Sequence, residues 1–170
     1  MDEKKTPHDE VDRIVDAWTR ERPDLSFSPL HVLSRVDRLS HHLDRARRGA
    51  FERSGLESWE FDVLSALRRA GAPFQRSPKA LLTDTLVSSG TMTNRIDRLV
   101  ERNLVRRLTD PNDGRGILVE MTPAGLDRVD CAITELVTAE QDILRSLSLT
   151  QQNQLASLLR TLILGFHGRR

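Results

Sequence analysis

The side chains best suited to recognise something lie between Ser88 and Glu101 of this 170-residue chain. Advancing about 100° per residue, Gly90, Thr91, Asn94, Asp97, Arg98 and Glu101 fall on one side of a helix. Met92, Ile96, Leu99 and Val100 recur at i, i+4, i+7 and i+8 on the other. The polar side begins with small and amide groups, as do helices that enter a DNA major groove. An asparagine amide can pair with adenine through two hydrogen bonds, which makes Asn94 a candidate for base contact and Arg98 one for guanine or phosphate. Thr91, Thr93, Ser88 and Ser89 are suited to positioning the helix on phosphates. Ser88 and Ser89 are also good caps for its first turn.

This helix is expected to end near Asn103, a residue that tolerates the left-handed conformation. Leu104–Thr109 and Gly116–Thr122 then read as strands around the polar turn Asp110–Arg115, rich in turn formers. Ile117, Val119 and Met121 alternate with Leu118 and Glu120, as in a half-buried hairpin. Helix followed by charged hairpin is the layout of a winged helix-turn-helix; an ordinary helix–hairpin unit has the same pattern. From Val87 to Gly116 six arginines stand against four acids, a small local excess within a net charge of only +1.

The remaining segments must position that helix. Residues 1–8 read as a disordered tail. Val11, Ile14, Val15 and Trp18 mark a short helix ending before Pro23, with Trp18 as a packing anchor or a pocket wall. A second helix runs from Pro29 to about Glu52, with Leu30, Leu33, Val36, Leu39 and Leu43 expected inward. Glu57–Ala70 forms a third, Gly71–Pro78 a loop, and Ser77–Leu86 the first helix of the helix-turn-helix. Asp62 stands among apolar neighbours, where a carboxylate needs a cation or tends to hold its proton. Thr122-Pro123 opens a long helix whose apolar spacing reaches Leu147. Ser148–Gln152 offers a new cap, and Leu155, Leu158, Leu159, Leu162, Ile163 and Phe166 form a last stripe. These faces exceed what one small winged domain covers, so a homodimer is expected, the alternative being a monomeric bundle in which the helices cover one another. The expected fold is mainly α with a small β-hairpin, divided into 9–53 (N-terminal helices), 54–122 (winged helix-turn-helix) and 123–170 (C-terminal dimerisation helices).

Other chemistries find little support. There is no glycine-rich phosphate loop or serine motif, so no enzyme and no cofactor are expected. His41 and His42 are adjacent and diverge by about 100°, which is wrong for a helical metal pair. The single cysteine, Cys131, suits a cytoplasmic chain, and no long apolar run suggests a membrane partner. The competing class is a helical dimeric interaction protein that does not read DNA sequence.

These residues resemble the MarR-type (multiple antibiotic resistance regulator) transcription factors, from Val11 to Phe166. The strongest match is VSSGTMTNRIDRLVERNLVRRLTDPNDGRG, with its Asp113-x-Arg115 wing element. The resemblance implies a homodimeric repressor on double-stranded DNA with a pseudo-palindromic site. Arg115 would enter the minor groove, oriented by Asp113. A narrower similarity is to urate-responsive members, through Trp18, Asp62 in WEFDVL, Arg95 in TNRIDRL, and Arg107. By that scheme Trp18 and Arg107 hold an anionic ligand whose charge displaces Asp62, and Arg95 passes the shift to the recognition helix. Arg95 lies on the flank of that helix, in reach of a phosphate or a withdrawn acid. Related branches sense other carboxylates or phenolic compounds, so the expected ligand is a small anion of this kind.

Overall fold

The structure is a computed structural model that describes residues 8–85, 87–111 and 113–167, the side chains of Arg115 and His167 excepted. The expected tail 1–8 therefore lies outside the described residues except for His8. The chain divides into two compact units, the first ending at Arg45 and the second beginning at Ala46.

In the first unit, α1 (Glu10–Glu21) is held at its start by a reciprocal cap. Asp9 accepts from the Val11 and Asp12 amides at 2.8 and 3.1 Å, and Asp12 accepts from the Asp9 amide at 3.0 Å. Three otherwise unpaired amides at the helix start are thereby satisfied. Helix α2 (Ser28–Arg53) begins in this unit. Its Arg35 spans Asp9 and Asp12 at 2.7–3.0 Å, and Arg38 reaches Glu10 at 3.1 Å. The expectation that Leu33, Val36 and Leu39 point inward is corrected: all three are exposed. Periodicity identified their common face but not what covers it. Trp18 is also exposed and stacks on Phe27, ring centres 6.0 Å apart.

The second unit holds α3 (Ser58–Arg69), α4 (Pro78–Thr85), α5 (Ser89–Glu101), α6 (Pro123–Leu144) and α7 (Leu149–His167). Strands β1 (Gln75–Arg76), β2 (Val105–Asp110) and β3 (Asp113–Met121) form an antiparallel sheet in the order β1-β3-β2. Leu64 and Leu67 of α3, Leu81 of α4, Met92, Ile96 and Leu99 of α5, Val119 of β3 and Val129 of α6 are buried in one core. Phe51 and Phe61 stack beside them at 4.2 Å. Each such aliphatic side chain contributes about 1.5–3 kcal/mol by leaving water.

Local signals set most boundaries. Thr122 accepts from the Gly125 amide at 3.1 Å and Pro123 takes the first helical position of α6. Gly125 itself is required by packing: a Cβ there would lie 2.1 Å from the Leu104 carbonyl oxygen. Helix α6 stops at Leu144, not Leu147, and Gln152 donates to both the Leu144 and Leu147 carbonyls at 3.3 and 3.0 Å. Ser148 and Gln151 cap α7 reciprocally at 2.8 and 3.3 Å.

Two expectations about strands are corrected. The segment 71–78 is not all loop, because Gln75 and Arg76 pair with Glu120 and Val119. A two-residue strand carries no alternation of its own and exists only through its partner. The wing turn is also tighter than Asp110–Arg115, since Asp110 already pairs with Asp113 after an irregularity at Thr109/Asp110. Backbone pairing extends the ladder into polar residues that show no hydrophobic alternation.

Candidate nucleic-acid interface

Helix α5 follows α4 after a short turn, of which Leu86 lies outside the described residues. Ser88 is its cap, accepting from the Thr91 amide at 3.4 Å and meeting the Thr91 hydroxyl at 2.9 Å. Ser89 is inside the helix, and its carbonyl takes the Thr93 hydroxyl at 3.2 Å. Met92, Ile96 and Leu99 are buried, whereas Val100, expected with them, is at the exposed edge of the stripe. Asn103 has the expected left-handed backbone, φ 56°, and the Thr122 hydroxyl donates to its carbonyl at 2.7 Å. The buried stripe thus fixes the rotation of α5 and turns Ser88, Ser89, Thr91, Thr93 and Asn94 to the surface. Among the described residues, the Asn94 carboxamide takes no hydrogen-bond partner. A polar array with one end open to solvent and its helix amides near the same end suits a polyanion.

The arginines of α5 are arranged differently. Arg95 is half-buried, its guanidinium 5.7 Å from the Trp59 ring centre, and its Nη1 is buried with no hydrogen-bond partner among the described residues. Arg98 lies over the same indole at 4.7 Å and donates to Glu57 at 3.0 Å. Arg102, just past the helix, pairs with the fully buried Glu60 and donates to the Gly55 carbonyl at 2.8 Å. Gly55 has φ 65°, a conformation that favours glycine.

Asp62 is on α3 with its side chain in a hollow of about 260 Å³ bounded by Phe61, Ser65, Arg69, Asp84 and Thr85. Loss of hydration among these atoms pushes its carboxyl above the ordinary range, partly opposed by Arg95, Arg47 and Arg69. Asp62 and Arg95, singled out together, are therefore electrostatically coupled. Arg107 of β2 instead donates to Asp97 of α5 at 2.5 Å. Trp18 belongs to the first unit. On the wing, Asp113 is exposed at the start of β3, and the Arg115 side chain lies outside the described residues.

Several residues of the site were not singled out from sequence. Glu60 is one: it accepts from the Glu57 amide at 2.8 Å, the helix-start pattern of an acid three residues after the cap. Arg102 is its partner, 42 residues away. Glu120 is another; it accepts from Gln75 and, at 2.6 Å, from Arg106, joining all three strands. The Gln75 contact, and after it Arg106, holds its carboxyl below the ordinary range. Among the described residues no His, Cys, Asp and Glu group could hold a metal ion, and no helix is long and apolar enough to cross a membrane.

Comparison with known proteins places this arrangement. Residues 54–116 match the model of the MarR family. Over 150 residues the chain is 35% identical to the HTH-type transcriptional regulator PecS of Dickeya dadantii, covering 88% of this chain and 90% of that protein. The chain belongs to the MarR family. A crystal structure of a mutant MarR from Escherichia coli superposes with TM-score 0.64 at 26% identity, covering 77% of this chain and 96% of that one. The MarR fold also appears in a complex with operator DNA, TM-score 0.65 at 24% identity, over 85% of this chain and 96% of the other. Bordetella bronchiseptica BpsR, whose DNA binding is regulated by 6-hydroxynicotinic acid, superposes with TM-score 0.58 at 26% identity, over 75% and 98%. This MarR-family chain is accordingly a transcription regulator by descent and not an enzyme.

Proposed function

We propose that the protein is a homodimeric, ligand-responsive transcription repressor that binds a pseudo-palindromic operator in double-stranded DNA and leaves it when a small anion binds. The observation that carries this reading is the orientation of α5. Its aliphatic stripe is consumed by the core, and Asn94 stands at the surface without a hydrogen-bond partner among the described residues. Asn94 and Arg98 are assigned to bases or phosphate, and Ser88, Ser89, Thr91 and Thr93 to the backbone. Arg115, oriented by Asp113, is assigned to the minor groove on the family resemblance. The exposed apolar side chains of α2 (Leu33, Val36, Leu39) and α7 (Leu158, Leu162, Phe166) support a second copy as their cover. Two half-sites about 34–36 Å apart would then meet two recognition helices.

Asp62 and Arg95 support the ligand half of the reading. A carboxyl held above its ordinary range, under the pull of an arginine whose Nη1 has no hydrogen-bond partner among the described residues, marks a place where an incoming anion gains more than the resident acid. The ligand would take Arg95 from Asp62 and bias the helix that carries it. It could shift DNA binding only by its differential affinity for the two states. Urate is the ligand suggested by the resemblance, with other carboxylates and phenolic compounds of the same class; Trp18 and Arg107 complete the assigned set. An anisotropy titration against DNA upstream of the chain's own coding region tests the whole reading. Sequence-preferring binding that weakens on adding urate or an aromatic acid is expected. Equal affinity for scrambled DNA would favour an interaction protein.

A further inference from the structure

Glu57 and Glu60 flank Trp59 at the start of α3, and both take an arginine from the α5 segment. Their circumstances differ. Glu60 is fully buried, and its partner Arg102 is held a second time by the Gly55 carbonyl at 2.8 Å. Removing Arg102 from it would leave a carboxylate stranded in the interior, so that pair is fixed. Glu57 and Arg98 are each about half exposed, 58% and 50%. The indole N–H of Trp59 donates to Glu57 Oε2 at 2.7 Å, while Arg98 approaches Oε1 at 3.0 Å and lies 4.7 Å from the indole centre. One tryptophan thus orients the carboxylate through its edge and supports the cation on its face.

Arg98 is one turn beyond Asn94, on the same side of α5. A carboxylate and a phosphate present equivalent acceptor oxygens to a guanidinium. We infer that Glu57 is an internal stand-in for a DNA phosphate: it holds Arg98 against Trp59 in the free protein and yields it to the duplex backbone on binding. The inference rests on the DNA-binding reading above and adds a residue to it. An exposed pair is weak enough to be exchanged, and breaking it penalises every duplex alike. Glu57 therefore lowers affinity across all sequences while Asn94 separates them.

The test is anisotropy of the full chain on a labelled duplex across a salt series, with E57Q, R98Q, the double variant and E101Q. The last makes the same charge change at an exposed glutamate of α5 and measures the general field. Glu57→Gln should tighten binding about two- to five-fold, more than Glu101→Gln. Arg98→Gln should weaken it and reduce the salt slope by about 0.9. In the R98Q background the extra gain from E57Q should vanish. Tryptophan emission should change on adding duplex in the parent, and not in R98Q or W59F. If the parent binds DNA but E57Q gains no more than E101Q, or keeps its full gain beside R98Q, the exchange is wrong and the DNA reading stands. If the parent binds no duplex at low salt, both fall. Should E57Q fail to fold, the R98Q slope and the emission change decide: loss of both supports the exchange, and an unchanged slope overturns it.

Discussion

Helices α5 and α7 have comparable sequence patterns and opposite fates. Both carry an aliphatic stripe at helical spacing, yet Leu99 of α5 is 0% exposed whereas Leu162 of α7 is 48% and Phe166 79% exposed. The stripe of α5 meets α3, α4 and β2 within the same chain. That of α7 is bare. An amphipathic pattern therefore states that a face must be covered and leaves open by which molecule. Covering α5 from inside fixes its rotation, and so the direction of Asn94. Leaving α7 uncovered makes it, with α2, the place where a second copy is proposed.

The comparison can be broken most severely on the α5 side. Leu99→Ala should cost about 2–5 kcal/mol, because the cavity left is surrounded by a packed core. Thermal or denaturant unfolding would measure it, and a cost under 1 kcal/mol would mean the stripe is not the anchor described. Leu162→Glu on α7 should act differently. In the proposed dimer, burying each copy of this leucine would contribute about 1.5–3 kcal/mol, and a glutamate there would be poorly tolerated. Light scattering should then report a halved mass with far-ultraviolet helicity retained; an unchanged mass would remove α7 from the interface.

A smaller effect concerns Asp62. Its carboxyl is raised in the folded chain, so folding favours the protonated form. The penalty is absent below the unfolded pKa of about 3.9 and complete once pH exceeds the folded value. Asp62→Asn should therefore stabilise at neutral pH, within about 0.5 kcal/mol at this partly exposed site, and the gain should vanish in acid. A gain that persists at pH 3 would contradict the assigned cause.

What was legible in the sequence follows the range of the forces involved. Ser88, Asn103 and Thr122-Pro123 act within a turn or two, and each stands where local rules put it. Met92, Ile96 and Leu99 were legible because one face of one helix suffices to find them. Strand β1 was not, since Gln75 and Arg76 become a strand only through residues 43 or more positions later. The partners of Arg98 and Arg102 were hidden for the same reason, lying 41 and 42 positions away, at the cap and in the first turn of α3. The exposed Leu33, Val36 and Leu39 expose the remaining gap: periodicity marks a face, and the identity of its partner is tertiary or quaternary information.

The central claim is that α5 turns Asn94 outward to read a base. It is tested most directly by comparing parent and Asn94→Ala on an operator-bearing and a scrambled duplex at one salt concentration, with unfolding followed in parallel. Losing a bidentate contact to adenine should lower the specificity ratio about 5- to 150-fold, leaving scrambled-DNA affinity and stability nearly unchanged. A specificity ratio equal to that of the parent would contradict the account.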